Sequence, residues 1–292
     1  MTDTDERSIL QISEDVHTAD ARGDYETALR LLRELNEHER SMGPATAEPR
    51  AADARDDDAT TLRHLRRQAD EGDAEAQLTL GIRYGAGDGV PQDFAAGYAW
   101  CRKAADQGNA AAQCRLGLLH LTGVGVPQDD TEAVRWFRKA ADQGNAEAQF
   151  FLGLLYAEGV GVPPDEAEAV RWYRTAAEQG YAPAQCALAI MYLNGTGVPE
   201  DYAEAYRWFR KAADQGEGLA MGYLGCMYEG GHGVPQDDVE ACRWFHLAAF
   251  RLPPWETTRR DSAVRSRDRI AARMTPAQLA AAEHLVREWT PS

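Results

Sequence analysis

Cysteine and histidine are where a search for chemistry begins, since the thiolate is a nucleophile and metal ligand and the imidazole a base and metal ligand. The chain has five cysteines, Cys101, Cys114, Cys186, Cys226 and Cys242. Their irregular spacing contains no C-x-x-C pair and forms neither a disulfide framework nor a zinc site, so they read as small buried hydrophobes. Cys101 and Cys114 lie about equally far from Gly108, and a bridge between them across a helix hairpin stays open. The histidines are scattered without H-E-x-x-H spacing, and no G-x-S-x-G elbow occurs. Asp56-Asp57-Asp58 reads as a solvated linker rather than a metal site. Gly87-Asp88-Gly89 and Gly123-Val124-Gly125 look superficially like phosphate-binding glycines, but no strand precedes them, and their recurrence marks structural turns. Asn194-Gly195-Thr196 fits a glycosylation acceptor, yet it is the same recurring loop. No catalytic residue, cofactor site or metal site is therefore expected, and the chain reads as no enzyme.

Charge narrows the partners. The net charge of −16 divides into −9 over residues 1–60, −9 over 61–251 and +2 over 252–292. An acidic body repels a phosphate backbone, which argues against a nucleic-acid partner and for a basic or neutral one. No apolar stretch approaches the ~20 residues of a membrane span, and the acidic N-terminus has no apolar segment after it, so no membrane insertion and a cytoplasmic location are expected.

The elements that position these residues follow from a period. Tryptophan stands at 100, 136, 172, 208 and 244, a step of 36 residues shared by Gly87, Val90, Pro91 and their successors. Chance cannot produce this, and a fixed period of that length marks stacked helical hairpins. The five repeats run 73–108, 109–144, 145–180, 181–216 and 217–252, preceded by a half unit over 61–72. In the third, Asn145 caps a first helix ending near Tyr156, Gly159 and Gly161 make the loop, and Pro163 bars helix before a second helix over Asp165 to Gln179. Asp129/Glu132, Asp165/Glu168 and their equivalents resemble capping boxes. Ala148, Leu152 and Tyr156 form the constant seam of the first helix, with Gly153 allowing close approach to the stripe of Ala169, Trp172 and Ala176-Ala177. Residues 1–40 predict a separate helical hairpin, 41–60 a flexible acidic Pro/Ala/Asp-rich linker, and 253–292 two capping helices, the second capped by Thr275.

The string Ala-Glu-Ala-Gln-x-x-Leu-Gly-x-x-Tyr-x-x-Gly-x-Gly-Val-Pro-x-Asp-x-x-Glu-Ala-x-x-Trp-x-x-x-Ala-Ala-Asp-Gln-Gly-Asn, read across 146–181 with few departures, resembles the Sel-1-like repeat, a variant of the tetratricopeptide superfamily. The stretch from Gly23 is also similar to the second helix of an ordinary tetratricopeptide repeat. What the resemblance implies is an all-α fold, a right-handed α/α superhelix with helical terminal caps that acts as an adaptor or scaffold in protein complexes, often bacterial. Departures fall at His120 for the repeated Tyr, at the lost Asn caps Tyr181 and Glu217, at Pro183, and at Met221-Gly222-Tyr223.

A binding surface belongs where repeats differ while the fold does not. Those positions are Thr79, Arg115, Phe151, Ala187 and Tyr223, with Thr122, Glu158 and Asn194 two turns on, adjoining the seam that resembles the concave face of tetratricopeptide arrays. Aromatic and Arg side chains are typical anchors for a peptide. Equally, Phe151 and Tyr223 read as fillers of gaps between repeats. The function expected is a non-enzymatic protein–protein adaptor holding a partner protein or peptide on that face. A regulatory subunit that holds an enzyme in trans, or self-association through the N-terminal hairpin, stays open beside it.

Overall fold

The computed structural model describes residues 54–252 and 257–289, and side chains from 60 onward. The expected hairpin over 1–40 lies outside the described residues, as does most of the expected linker. Residues 54–60 of that linker are helical, for the first helix begins at Ala54. The described residues fall into two units, one ending at Pro164 and the other starting at Asp165.

In the first unit the helices are α1 (Ala54–Asp70), α2 (Ala74–Ala86), α3 (Phe94–Asp106), α4 (Ala110–Thr122), α5 (Asp130–Asp142) and α6 (Ala146–Glu158), each packed on the next. α1 is the half unit, and its Ala69 joins Ala76 and Leu80 in a small core with Leu62 and Leu65 against it. The second unit holds α7 (Glu166–Glu178), α8 (Ala182–Asn194), α9 (Tyr202–Asp214), α10 (Gly218–Gly230) and α11 (Asp238–Arg251). There α12 (Thr257–Ala271) and α13 (Pro276–Glu288) both pack on α11, burying Ala263, Ile270 and Ala282 as the expected terminal cap. Arg269 on α12 pairs with Glu229, and Arg273 just past its end pairs with Asp238.

Side-chain chemistry fixes these boundaries. Asp73, Asn109 and Asn145 accept the backbone N–H of Ala76, Ala112 and Ala148, satisfying donors that the first helical turn leaves open. Tyr181 and Glu217 make no such bond. The second helices depart from the expected capping box. Asp129 accepts from the N–H of Glu132, but its own N–H donates to the carbonyl of His120 at 2.9 Å. With that donor satisfied, Glu132 turns instead to Arg135, as Glu168, Glu204 and Glu240 turn to Arg171, Arg207 and Arg243. The complete box forms at Thr275 and Gln278.

Close approach is served by glycine. A Cβ on Gly117 would stand 2.7 Å from the Phe137 ring, and one on Gly225 2.8 Å from Phe245, so a first-helix glycine receives the second-helix aromatic. In the loops Gly125 has φ +70° and would place a Cβ 2.5 Å from the Phe94 carbonyl of the preceding repeat. That position excludes other residues twice, by backbone conformation and by space.

Candidate functional site

The eight residues expected to form a binding surface sort by what they touch. Phe151 stacks on Phe137 with ring centroids 5.1 Å apart, and Tyr223 stacks on Phe209 at 4.7 Å. One register of the first helices thus faces the second helix of the repeat before it. Cys101 and Arg115 occupy the equivalent places in the first unit. Phe151 and Ala187 are 0% exposed and Thr122 is 7% exposed, its hydroxyl donating to the Leu118 carbonyl. As folded, these three offer a partner almost no surface. Arg115 and Tyr223 are half-buried, while Thr79, Glu158 and Asn194 are exposed.

The chemistry around Arg115 is that of a buried polar contact. The Cys114 thiol donates to the Glu147 carboxylate, and Arg115 lies beside both. Burial pushes Cys114 well above its ordinary range and Cys101 up to about 11, outweighing the pull of Arg115, and it raises Glu147 as well. A thiol held protonated at neutral pH is neither nucleophile nor ligand. Both cysteines are free, so the bridge left open by their spacing is not formed. Cys101 lies against Gly81 of its own hairpin, whereas Cys114 reaches Glu147 of the next repeat.

His120, replacing the repeated tyrosine, is buried with Nε2 3.4 Å from the Tyr98 hydroxyl and Nδ1 without a hydrogen-bond partner among the described residues. Burial lowers its pKa, and Arg102 adds to that, against the opposing pull of Glu132 and Asp129. Where tyrosine is kept, Arg138 donates to Tyr156 and Arg174 to Tyr192. Among the described residues no group of three or more His, Cys, Asp and Glu side chains is placed to hold a metal ion. No described helix is long and apolar enough to cross a membrane.

Two devices escaped the sequence reading, although constancy at fixed steps was their signal. Gln77, Gln113 and Gln185 are buried and donate to the carbonyls of Ala69, Ala105 and Ala177 in the preceding second helix. Each also accepts from the glutamine closing its own repeat, Gln107, Gln143 and Gln215, at 2.7 to 2.8 Å. The first, second and fourth repeats are each thereby clamped to the helix before them by a satisfied amide pair, the condition under which buried polar groups stabilise. The tryptophans are likewise bracketed by cations, Lys139 and Arg102 over Trp136, and Arg210 and Arg243 over Trp244. Lys139 and Arg243 reach the tryptophan of their own repeat, while Arg102 and Arg210 reach that of the next.

Comparison with known proteins places the pattern. The family model for the Sel1 repeat matches residues 74–109, 110–145, 146–181, 182–217 and 218–249. The chain is similar to a Sel1 repeat protein from Oxalobacter formigenes, with 34% identity, a TM-score of 0.63, and coverage of 68% of this chain and 82% of that one. It is also similar to a protective antigen of uropathogenic Escherichia coli with an SLR fold, at 27% identity and a TM-score of 0.52, covering 95% of this chain and 68% of that one. No curated protein matches by sequence. The fold class read from the sequence, an all-α helical-repeat solenoid, is the one these matches and the thirteen described helices give.

Proposed function

We propose that this chain, which belongs to the Sel1 repeat family, is a non-enzymatic adaptor that holds a partner protein or peptide on its first helices. Sel1 repeats generally mediate protein–protein interaction, which supplies the class of function. The observation that favours the first helices is their variation within a fixed scaffold. Caps, clamps and seams repeat every 36 residues, while one register reads Thr79, Arg115, Phe151, Ala187 and Tyr223. Burial divides that register. Arg115, Tyr223 and the exposed Thr79, Glu158 and Asn194 remain as contact residues, and Phe151, Ala187 and Thr122 are buried. The acidic body favours a basic or neutral partner, and the reading takes the compartment as the cytoplasm.

The test is affinity capture on the full chain, beside variants Arg115→Ala with Glu158→Ala and Asn194→Ala with Tyr223→Ala. A defined protein retained by the parent and lost by variants of unchanged circular dichroism supports the reading. Retention by both variants removes the first helices from it, and capture of the chain's own copies alone turns the reading toward self-association.

A further inference from the structure

The array begins with half a repeat. α1 reads as a second helix, yet residues 41–53 before it carry Gly43, Pro44 and Pro49 and none of the Ala-x-Ala-Gln-x-x-Leu-Gly pattern of a first helix. In the first, second, fourth and fifth repeats the second helix packs on the first helix of its own repeat. A Cβ on Gly117 would there meet Phe137, and one on Gly225 would meet Phe245. Leu65 of α1 stands at the place of Cys101, Phe137, Tyr173, Phe209 and Phe245, which are at most 3% exposed. Gln68 stands where each full repeat has an alanine that is 0% exposed. In α1, Leu65 and Gln68 are only half-buried and Thr61 is exposed, although Leu65 packs against the small core shared with α2. One face of α1 is thus open where its counterparts are covered.

The chain itself holds a segment suited to that face. Tyr25, Ala28, Leu29, Leu32 and Leu35 fall on one side at helical spacing, and Asp24 precedes them as the capping Asp73 precedes α2. The seventeen residues 24–40 match α1 in length, roughly 25 Å as a helix. Thr61 and Gln68 are larger than the alanines they replace, and residues 24–40 correspondingly lack the glycine that lets other first helices approach closely. Their five acidic and three basic side chains are complementary in sign to the exposed Arg63, Arg66 and Arg67 of α1. Residues 41–53 reach up to roughly 43 Å, more than the length of α1, so every register along it is accessible.

We propose that residues 24–40 dock as a helix on the Thr61, Leu65 and Gln68 face of α1 in the same chain. They stand in for the first helix of the half unit and cap it, as α12 and α13 cap α11. A second copy of the chain carries the same segment, but a short linker holds the chain's own at an effective concentration in the millimolar range, which favours the intrachain contact in dilute protein. The proposal stands on α1 and does not rest on the adaptor reading.

The experiment replaces Leu65 of the full chain by p-benzoylphenylalanine, with Arg63, on the other side of α1, replaced as the control. Isotopically light and heavy protein are mixed in equal parts before irradiation, and the linked peptides are read by mass spectrometry. Adducts from position 65 are expected within residues 24–40 of the same isotope, at roughly tenfold or more the yield from position 63, and Leu32→Asp with Leu35→Asp should remove them, since two buried leucines are worth more than that factor. Adducts between light and heavy chains assign the face to a second copy and overturn the proposal. Equal yields from the two positions, or no adduct within 24–40, overturn it as well. If the photoreactive group loosens α1, hydrogen exchange on the otherwise unchanged chain carries the test. Leu32→Asp with Leu35→Asp is then expected to speed exchange over residues 61–69 roughly tenfold or more while α9 stays as it was, and unaltered exchange over 61–69 overturns the proposal.

Discussion

Replacing Gln113 by methionine removes two hydrogen bonds while keeping a side chain of similar length, and it isolates what the amide clamp contributes. Gln113 donates to the Ala105 carbonyl at 3.1 Å and accepts from Gln143 at 2.7 Å, with 6% of its surface exposed. The two losses differ in kind. The Ala105 carbonyl keeps the N–H of Gly108 at 3.0 Å, so the first loss costs near the ordinary net value of about 1 kcal/mol. The Gln143 amide also reaches the Lys139 carbonyl and is exposed, so it turns to water and its loss costs about 1 kcal/mol or less. Gln113→Met is therefore expected to lose about 2 kcal/mol. Urea unfolding followed by circular dichroism should show a lower midpoint at unchanged slope, which marks lost stability rather than altered compactness. In a double-mutant cycle with Gln143→Met, about 1 kcal/mol should appear as coupling. The fifth repeat carries the same replacement naturally, since Met221 stands fully buried at this position. A Gln113→Met protein within about 0.5 kcal/mol of the parent would refute the clamp.

Three further outcomes follow from single residues. His120 is held below its ordinary 6.5 by burial, so the unfolded chain binds its proton more readily than the folded one; stability present above about pH 6.5 falls as the pH drops through that value, by up to about 1.4 kcal/mol per unit. His120→Tyr, restoring the repeat residue, should flatten that slope in urea titrations at about pH 8 and about pH 5.5. Gly108 has φ +93° with nothing within 4 Å of a Cβ, whereas Gly125 adds the Phe94 carbonyl at 2.5 Å. Gly108→Ala should thus cost about 1–2 kcal/mol and Gly125→Ala distinctly more, compared by thermal midpoints. Of the five thiols Cys226 alone should react rapidly with a maleimide in the native protein, and all five after unfolding; mass spectrometry counts them, and early labelling of Cys101 would contradict its burial.

The period made the fold legible because each boundary is repeated with its chemical cause. The first helix read over 145–156 is observed at Ala146–Glu158, and the second, read over 165–179, at Glu166–Glu178. The face proposed for binding was legible only in part. α6 is buried without interruption from Ala148 to Leu155, so an apolar helix of this kind shows no open face on a wheel, and the wheel cannot reveal that Phe137 of the preceding repeat lies over Phe151. The clamp was written in the constant glutamines, but their meaning requires knowing that a carbonyl eight residues back lies within reach.

The adaptor reading is tested most directly by site-specific photocrosslinking in the native cell, with the reactive group placed in the full chain at Thr79, Arg115, Glu158 or Asn194 and, as controls, at the exposed Arg135, Arg171 or Arg207 of the second helices. The account predicts adducts to one defined protein from the first-helix positions and none from the controls. Adducts from the controls alone, or from neither set, would contradict it.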